Sequence, residues 1–169
     1  MTGEFASGIT GSRHQDSSDH AQYGIDHVPS QPNAQNHEPV ACSDCGAVYH
    51  KNRWTWNTRP EDCYEMLCPA CHRIQDRLPA GILTVRGDCL NEHRQEIMTL
   101  IHNRVQNIGE LHPLKRIMDV ECDDTEAVFA FTDVQLTREI GDALHQAYDG
   151  VLDFLYNSDD NILRVTWQR

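Results

Sequence analysis

The spacing of apolar residues changes along this chain, and the changes divide it. From residue 1 to 38, isolated apolar residues sit among Ser, Gln, Asn, His, Asp and Gly with no period. Such a stretch cannot bury enough surface to offset chain entropy, so it predicts a disordered tail over residues 1–40. Further on, Ile97, Ile101, Val105 and Ile108 recur at four, four and three residues, which is one face of a helix over roughly 89–107. Asp88 is its candidate N-cap, and Asn107, Gly109 and the His112-Pro113 step end it. The period then shortens to two. Arg116–Cys122 alternates, with Met118, Val120 and Cys122 on one face, and predicts a strand. Ala127–Phe131 is apolar on both faces and predicts a central strand. Thr132-Asp-Val-Gln135 fits a capping box ahead of a helical stripe of Leu136, Ile140, Ala143, Leu144 and Ala147, closed by Gly150. Leu152, Phe154 and Tyr156 predict a third strand, Asn157–Asn161 a hairpin loop, and Leu163, Val165 and Trp167 a fourth strand.

Residues 88–169 therefore read as an α-β-β-α-β-β unit, an α+β fold with helices on one face of a sheet. Residues 41–87 lack either period. They end in turn chemistry, Leu-Pro-Ala-Gly at 78–81 and Gly87-Asp88, and they hold five of the seven cysteines.

Those cysteines change the picture most. Cys42-Ser-Asp-Cys45 and Cys68-Pro-Ala-Cys71 are two Cys-x-x-Cys pairs separated by 22 residues. Each turn presents two sulfurs to one ion, and two turns supply the four soft ligands of a closed tetrahedral zinc shell. Gly46 suits the tight knuckle after the first pair because glycine accepts positive φ. The expectation is one structural Zn2+ on Cys42, Cys45, Cys68 and Cys71, in a zinc-ribbon or treble-clef module over 41–87. An iron centre on the same four thiolates is the other metal reading. A thioredoxin-like redox pair would want a single motif at a helix start in a βαβ setting. Cys63, His50 and His72 are the substitutes for a knuckle ligand. His93 and Glu96, three apart on a helix, read as a solvated pair, as do the tail histidines His14, His20, His27 and His37. Cys89 and Cys122 read as buried small hydrophobes. A 47-residue module buries little core, so it should depend on its ion, which in finger peptides contributes roughly 10–16 kcal/mol.

Charge is unevenly placed. The net charge is -12, with -4 on residues 1–40, +1 on 41–87 and -9 on 88–169. Condensation on nucleic acid or anionic lipid by net charge is therefore excluded, and any contact with nucleic acid must come through residues 41–87. There Lys51, Arg53, Trp54 and Arg59 lie between the knuckles, and Arg73 and Arg77 follow Cys71 four apart on a predicted helix, so they share a face. Aromatic and basic residues together suit stacking on unpaired bases with phosphate contact. The alternative is that the tryptophans are the module's core and the charges its solvated rim. No run of about 18 apolar residues predicts a membrane span, and no apolar stretch follows a basic start as in a signal peptide. Paired Cys-x-x-Cys motifs then fit a reducing cytoplasm.

Catalytic patterns are missing. Only Lys51 and Lys115 are lysines, and neither belongs to a phosphate-binding loop. A metal closed by four sulfurs leaves no position for an activated water. The expectation is a non-catalytic protein.

The stretches CSDCGAVYHKNRW, CPACHRIQDRLPAG, EHRQEI with IHNR and HPLKRI, and TDVQLTREIGDALHQAYDGVLDFLYN resemble a family of short bacterial zinc-containing proteins over about residues 41–169. That family is similar, through its cysteine knuckles and the pattern at Thr137–Gly150, to part of the ribosomal large-subunit export adaptor of archaea and eukaryotes, nonsense-mediated-decay protein three. The resemblance implies zinc on the four paired cysteines and a role on RNA or the ribosome. The competing expectation is a protein–protein adaptor or regulator with a purely structural zinc site, supported by the acidic 88–169 unit.

Overall fold

The computed structural model describes residues 37–169, so the tail reading and His14, His20 and His27 lie outside the described residues. Two sheets and three helices make up a mixed α+β fold. The smaller sheet comprises β1 (Val40–Cys42), β2 (Val48–His50), β3 (Arg53–Thr55) and β4 (Tyr64–Met66), in the order β3-β2-β1-β4. Helix α1 (Pro69–Asp76) follows it. The larger sheet comprises β5 (Gly81–Arg86), β6 (Ile117–Cys122), β7 (Glu126–Phe131), β8 (Val151–Asn157) and β9 (Ile162–Gln168), in the order β6-β7-β5-β9-β8. Helices α2 (Asp88–Gly109) and α3 (Val134–Tyr148) connect its strands.

Strand β5 corrects the expected boundary at residue 87, and it stands ahead of the expected α-β-β-α-β-β order, which α2, β6, β7, α3, β8 and β9 follow. It is the middle strand of the larger sheet, antiparallel to β7 from Gly81↔Phe131 to Arg86↔Glu126 and parallel to β9 from Gly81↔Leu163 to Arg86↔Gln168. Its inward residues Leu83 and Val85 are fully buried. The tail boundary shifts too. His37 packs on Tyr64 with ring centroids 4.8 Å apart, and Val40 is buried in β1.

One face of the larger sheet carries the core. Phe129, Phe131, Leu163, Val165 and Trp167 point to the helices and are buried. From α2 they meet Leu90, Ile97, Ile101 and Val105, and from α3 Leu136, Ile140 and Leu144. The four-residue spacing in α2 and the alternation in β7 and β9 thus set the packing, since each fixes one face. In α3 the buried stripe differs from expectation. Thr137 and Gly141 are buried and Ala147 is exposed, so the small residues lie under the helix where it crosses β5 and β9.

Helix starts are set by tertiary hydrogen bonds as much as by local sequence. Asp133, not Thr132, caps α3, accepting from the Leu136 amide at 2.7 Å. The Thr132 hydroxyl is taken by the loop before β6: it donates to the Leu114 carbonyl at 2.6 Å and accepts from the Arg116 amide at 2.8 Å. Gly87 precedes α2 without a side-chain cap, and Asp88 is its first residue. Cys89 is buried as expected, whereas Cys122 is exposed on edge strand β6, 2.6 Å from Arg94 Nη1. A register shift between Ile117 and Asp119 alters the alternation there.

Helix α3 lies directly against the sheet at Gly81. A Cβ there would fall inside the buried Thr137 side chain, which is held by its hydroxyl donating to the Asp133 carbonyl at 2.8 Å. Gly109, in contrast, has only the Lys115 carbonyl near, at 3.6 Å from an added Cβ. Gly81→Ala is expected to lower unfolding stability by about 1–3 kcal/mol through overpacking. Gly109→Ala is expected to leave it unchanged or raise it by about 0.5–1 kcal/mol. Urea denaturation of the two variants checks the opposite signs.

Candidate metal centre

The two cysteine pairs arrive from different kinds of local structure. Cys42 ends β1, and the chain turns back on itself at once. The Cys42 amide donates to the Ala47 carbonyl at 2.7 Å and the Gly46 amide to the Cys42 carbonyl at 3.0 Å. Gly46 has φ of 78°, the left-handed conformation that the spacing anticipates. The second pair opens α1. Cys68 is its N-cap, Pro69 stands in the first turn where no amide is needed, and Cys71 faces back from that turn. Strand β4 runs parallel to β1, with Cys42 opposite Met66, and so brings Cys68 up to the first knuckle.

All four sulfurs lie within 4.8 Å of one another, and Cys45 Sγ and Cys68 Sγ are 3.7 Å apart. A tetrahedron with metal–sulfur bonds of about 2.3 Å has edges of about 3.8 Å, so the cage needs only slight contraction to hold one ion. Cys42, Cys68 and Cys71 are buried and Cys45 is half-buried. Backbone amides already point at the sulfurs: Cys68 N–H donates to Cys42 Sγ at 3.2 Å and Cys71 N–H to Cys68 Sγ at 3.4 Å. The residues present therefore fit a closed four-thiolate metal site. Cys63, His50 and His72 stand outside the cluster. His72 Nδ1 lies 2.8 Å from the Asp76 carboxylate and His50 Nδ1 3.7 Å from that of Glu38. His93 and Glu96 are an exposed pair, 2.9 Å apart.

One residue at the site escapes any reading by spacing. Arg116, from the loop before β6, reaches across to the cysteines. Its Nη1 donates to Cys71 Sγ at 3.3 Å, and its Nη2 to Cys45 Sγ at 3.1 Å and Cys68 Sγ at 3.3 Å. Its Nε donates to the Pro113 carbonyl at 2.6 Å, and the guanidinium carbon sits 5.8 Å from the Trp56 ring centre. Burial works against its charge, but the hydrogen bond to Cys71 and the nearby thiolates outweigh that and hold it more firmly protonated than a free arginine.

Cys42, Cys68 and Cys71 differ in acidity. Burial pushes Cys68 up to about 11, the Cys71 amide opposing. Burial also pushes Cys71 upward, against the pull of Arg116. Burial acts to raise Cys42 as well, yet the amides of Cys45, Cys68 and Asp44 bring it down to about 7.

The aromatic and basic residues fall in several places. Trp54 packs against the cysteine cluster, its ring 5.4 Å from that of Tyr49. Trp56 donates Nε1–H to the Gly109 carbonyl at 2.7 Å. Lys51 and Arg53 are exposed at the β2–β3 turn, whose amides at Lys51 and Asn52 donate to the Glu38 carboxylate at 3.0 and 3.3 Å. Arg59 is ion-paired with Glu65. Arg73 is half-buried and donates to the Leu78 carbonyl at 3.1 Å. Arg77 does not share its helical face: α1 ends at Asp76, and Arg77 caps it in the left-handed conformation, exposed.

Cation uptake must displace protons from at least Cys68 and Cys71 at neutral pH. The affinity for Zn2+ is therefore expected to weaken as pH falls, by at least about 100-fold per pH unit because two or more protons are displaced, and more steeply below about 7 as Cys42 joins them. Chelator competition between pH 8 and 6 measures this slope; a flat profile would contradict the assignment of these thiols as ligands. Comparison with protein-family models, with curated proteins and with solved structures finds no match for this chain.

Proposed function

We propose that this chain is a non-catalytic zinc protein of the cytoplasm, in which one structural Zn2+ on Cys42, Cys45, Cys68 and Cys71 builds a treble-clef module that docks on RNA or the ribosome. The observation that carries the zinc reading is the cage of four sulfurs within 4.8 Å. Its size suits a single tetrahedral ion better than an iron–sulfur cluster, whose bridging sulfides would spread the thiolates. With four sulfurs on the ion, no position remains for substrate or activated water.

The binding half of the reading rests on Lys51, Arg53 and Arg77. These side chains are exposed, and among the described residues no carboxylate lies within ion-pair distance of them. Phosphate contact by such residues costs no broken ion pair. The resemblance to the ribosomal export adaptor supports the same partner class. A second reading, the protein adaptor, is favoured by β8. That edge strand exposes Val151, Phe154, Leu155 and Tyr156, with Val151 and Leu155 more than 60% accessible, and edge strands of this kind pair with other chains. No helix among the described residues is long and apolar enough to cross a membrane.

Co-sedimentation with ribosomes, with and without a zinc chelator, tests the leading reading. The expected outcome is binding that weakens with salt, is lost on chelation, and falls at least tenfold when Lys51, Arg53 and Arg77 are together reversed to Glu. Binding unchanged by these three reversals would defeat it. Nuclease-insensitive association with one non-ribosomal protein, lost on Leu155→Asp, would favour the adaptor. Under chelation the residues of β1–β4 and α1 are expected to lose their dispersed amide resonances while those of β5–β9 keep them, since the larger sheet has its own core.

A further inference from the structure

Resting on the reading of the four cysteines as a metal site, we propose that Arg116 couples metal loading to the docking of the cysteine module on the larger sheet, by supplying a fixed cation to three of the four sulfurs. Four thiolates around a dication carry a net charge of -2. A guanidinium at 3.1–3.3 Å from Cys45, Cys68 and Cys71 halves it and satisfies sulfur lone pairs that face the interior of the chain. The fourth sulfur, Cys42, receives the Cys68 amide instead.

Arg116 is built for a fixed aim. Its own amide donates to Thr132 Oγ1 at 2.8 Å and its carbonyl accepts from the Thr132 amide at 3.0 Å, which pins its backbone to the end of β7. Its Nε is spent on Pro113, and the Trp56 ring covers the guanidinium. The planar fork therefore has little freedom left to lose when it meets the sulfurs. Two further contacts come from the end of α2 and the same loop: Gly109 accepts from Trp56, and Leu114 packs on the cysteine cluster. The segment 109–116 is the platform on which the module rests, and Arg116 is its only charged contact with the sulfurs among the described residues. An ion that fixes four thiolates strengthens the attraction on this platform. By reciprocity, the platform strengthens the hold on the ion.

The test compares wild type, Arg116→Met and Arg116→Lys, in the full chain. Zinc affinity is measured by chelator competition, donor strength by the sulfur-to-cobalt charge-transfer band of the Co2+-substituted protein, and docking by hydrogen exchange of residues 109–116. Arg116→Met is expected to bind Zn2+ about 10–100-fold more weakly, with Arg116→Lys between it and wild type. The charge-transfer band should move to lower energy as the sulfurs lose N–H donors, a shift that loss of packing alone would not give. Protection of 109–116 should depend on metal in wild type and not in Arg116→Met. Wild-type affinity and an unmoved band in Arg116→Met overturn the proposal. Should that variant not fold, the same result in Arg116→Lys does so. A wild-type chain without a four-thiolate cobalt spectrum overturns the metal reading, and this proposal with it. A normal wild-type spectrum beside unaltered variants overturns the role of Arg116 alone.

Discussion

The approach of a hairpin turn to the first turn of a helix, sulfur against sulfur, is the constraint on which residues 37–77 depend. Strands of three residues and an eight-residue helix cannot hold themselves together by burial. Their buried set is small, made of alanines, cysteines, valines and one tyrosine. What aligns the two turns is the parallel β1–β4 pairing, and what the alignment produces is a cage of single-ion size. Backbone amides and a guanidinium already face the sulfurs, so a good part of the work of stabilising negative charge there is done by groups fixed in the fold.

The two sheets are joined by chemistry of opposite kinds. The larger sheet is held by apolar packing on one face, with Trp167, Phe129 and Phe131 against α2 and α3. The smaller is organised around a polar, charged centre. Their contact is correspondingly mixed: an indole on a backbone carbonyl, a leucine on the cysteine cluster and an arginine on its sulfurs. The basic residues between the knuckles divide in the same spirit. Arg59 and Arg73 serve the chain itself, whereas Lys51, Arg53 and Arg77 face solvent.

Local pattern revealed what local physics decides. The spacing of Cys42, Cys45, Cys68 and Cys71 gave the cage because a Cys-x-x-Cys turn has few geometries. Period gave α2, α3 and β9 because each buries one face, and an unbroken apolar run gave β7. What escaped notice depends on partners distant in sequence. Ile82-Leu-Thr-Val85 is a short apolar run after a turn, and nothing near it announces that Phe129 and Val165 lie on either side of Leu83. Thr132 satisfies the local capping rule, yet its hydroxyl is claimed by residues 114 and 116. Arg116 sits 45 residues beyond Cys71 in an ordinary Lys-Arg step, so no spacing rule could have tied it to the cysteine sulfurs. Cys122 alternates correctly on paper and is exposed because an edge strand has a neighbour on one side only.

The place of β9 has a consequence for how the molecule is assembled. This strand, at residues 162–168, lies between β5 and β8 and carries Trp167 into the core. During synthesis the cysteine turns and α1 are complete by residue 76, some eighty-five residues before β9 begins to emerge. From residue 86 until β9 emerges, β5 lacks at least one of its two hydrogen-bonding partners, while the cage has every sulfur it needs. Order along the growing chain therefore runs from the sulfur cage to the apolar core, with every ligand of the cage made before the larger sheet can close.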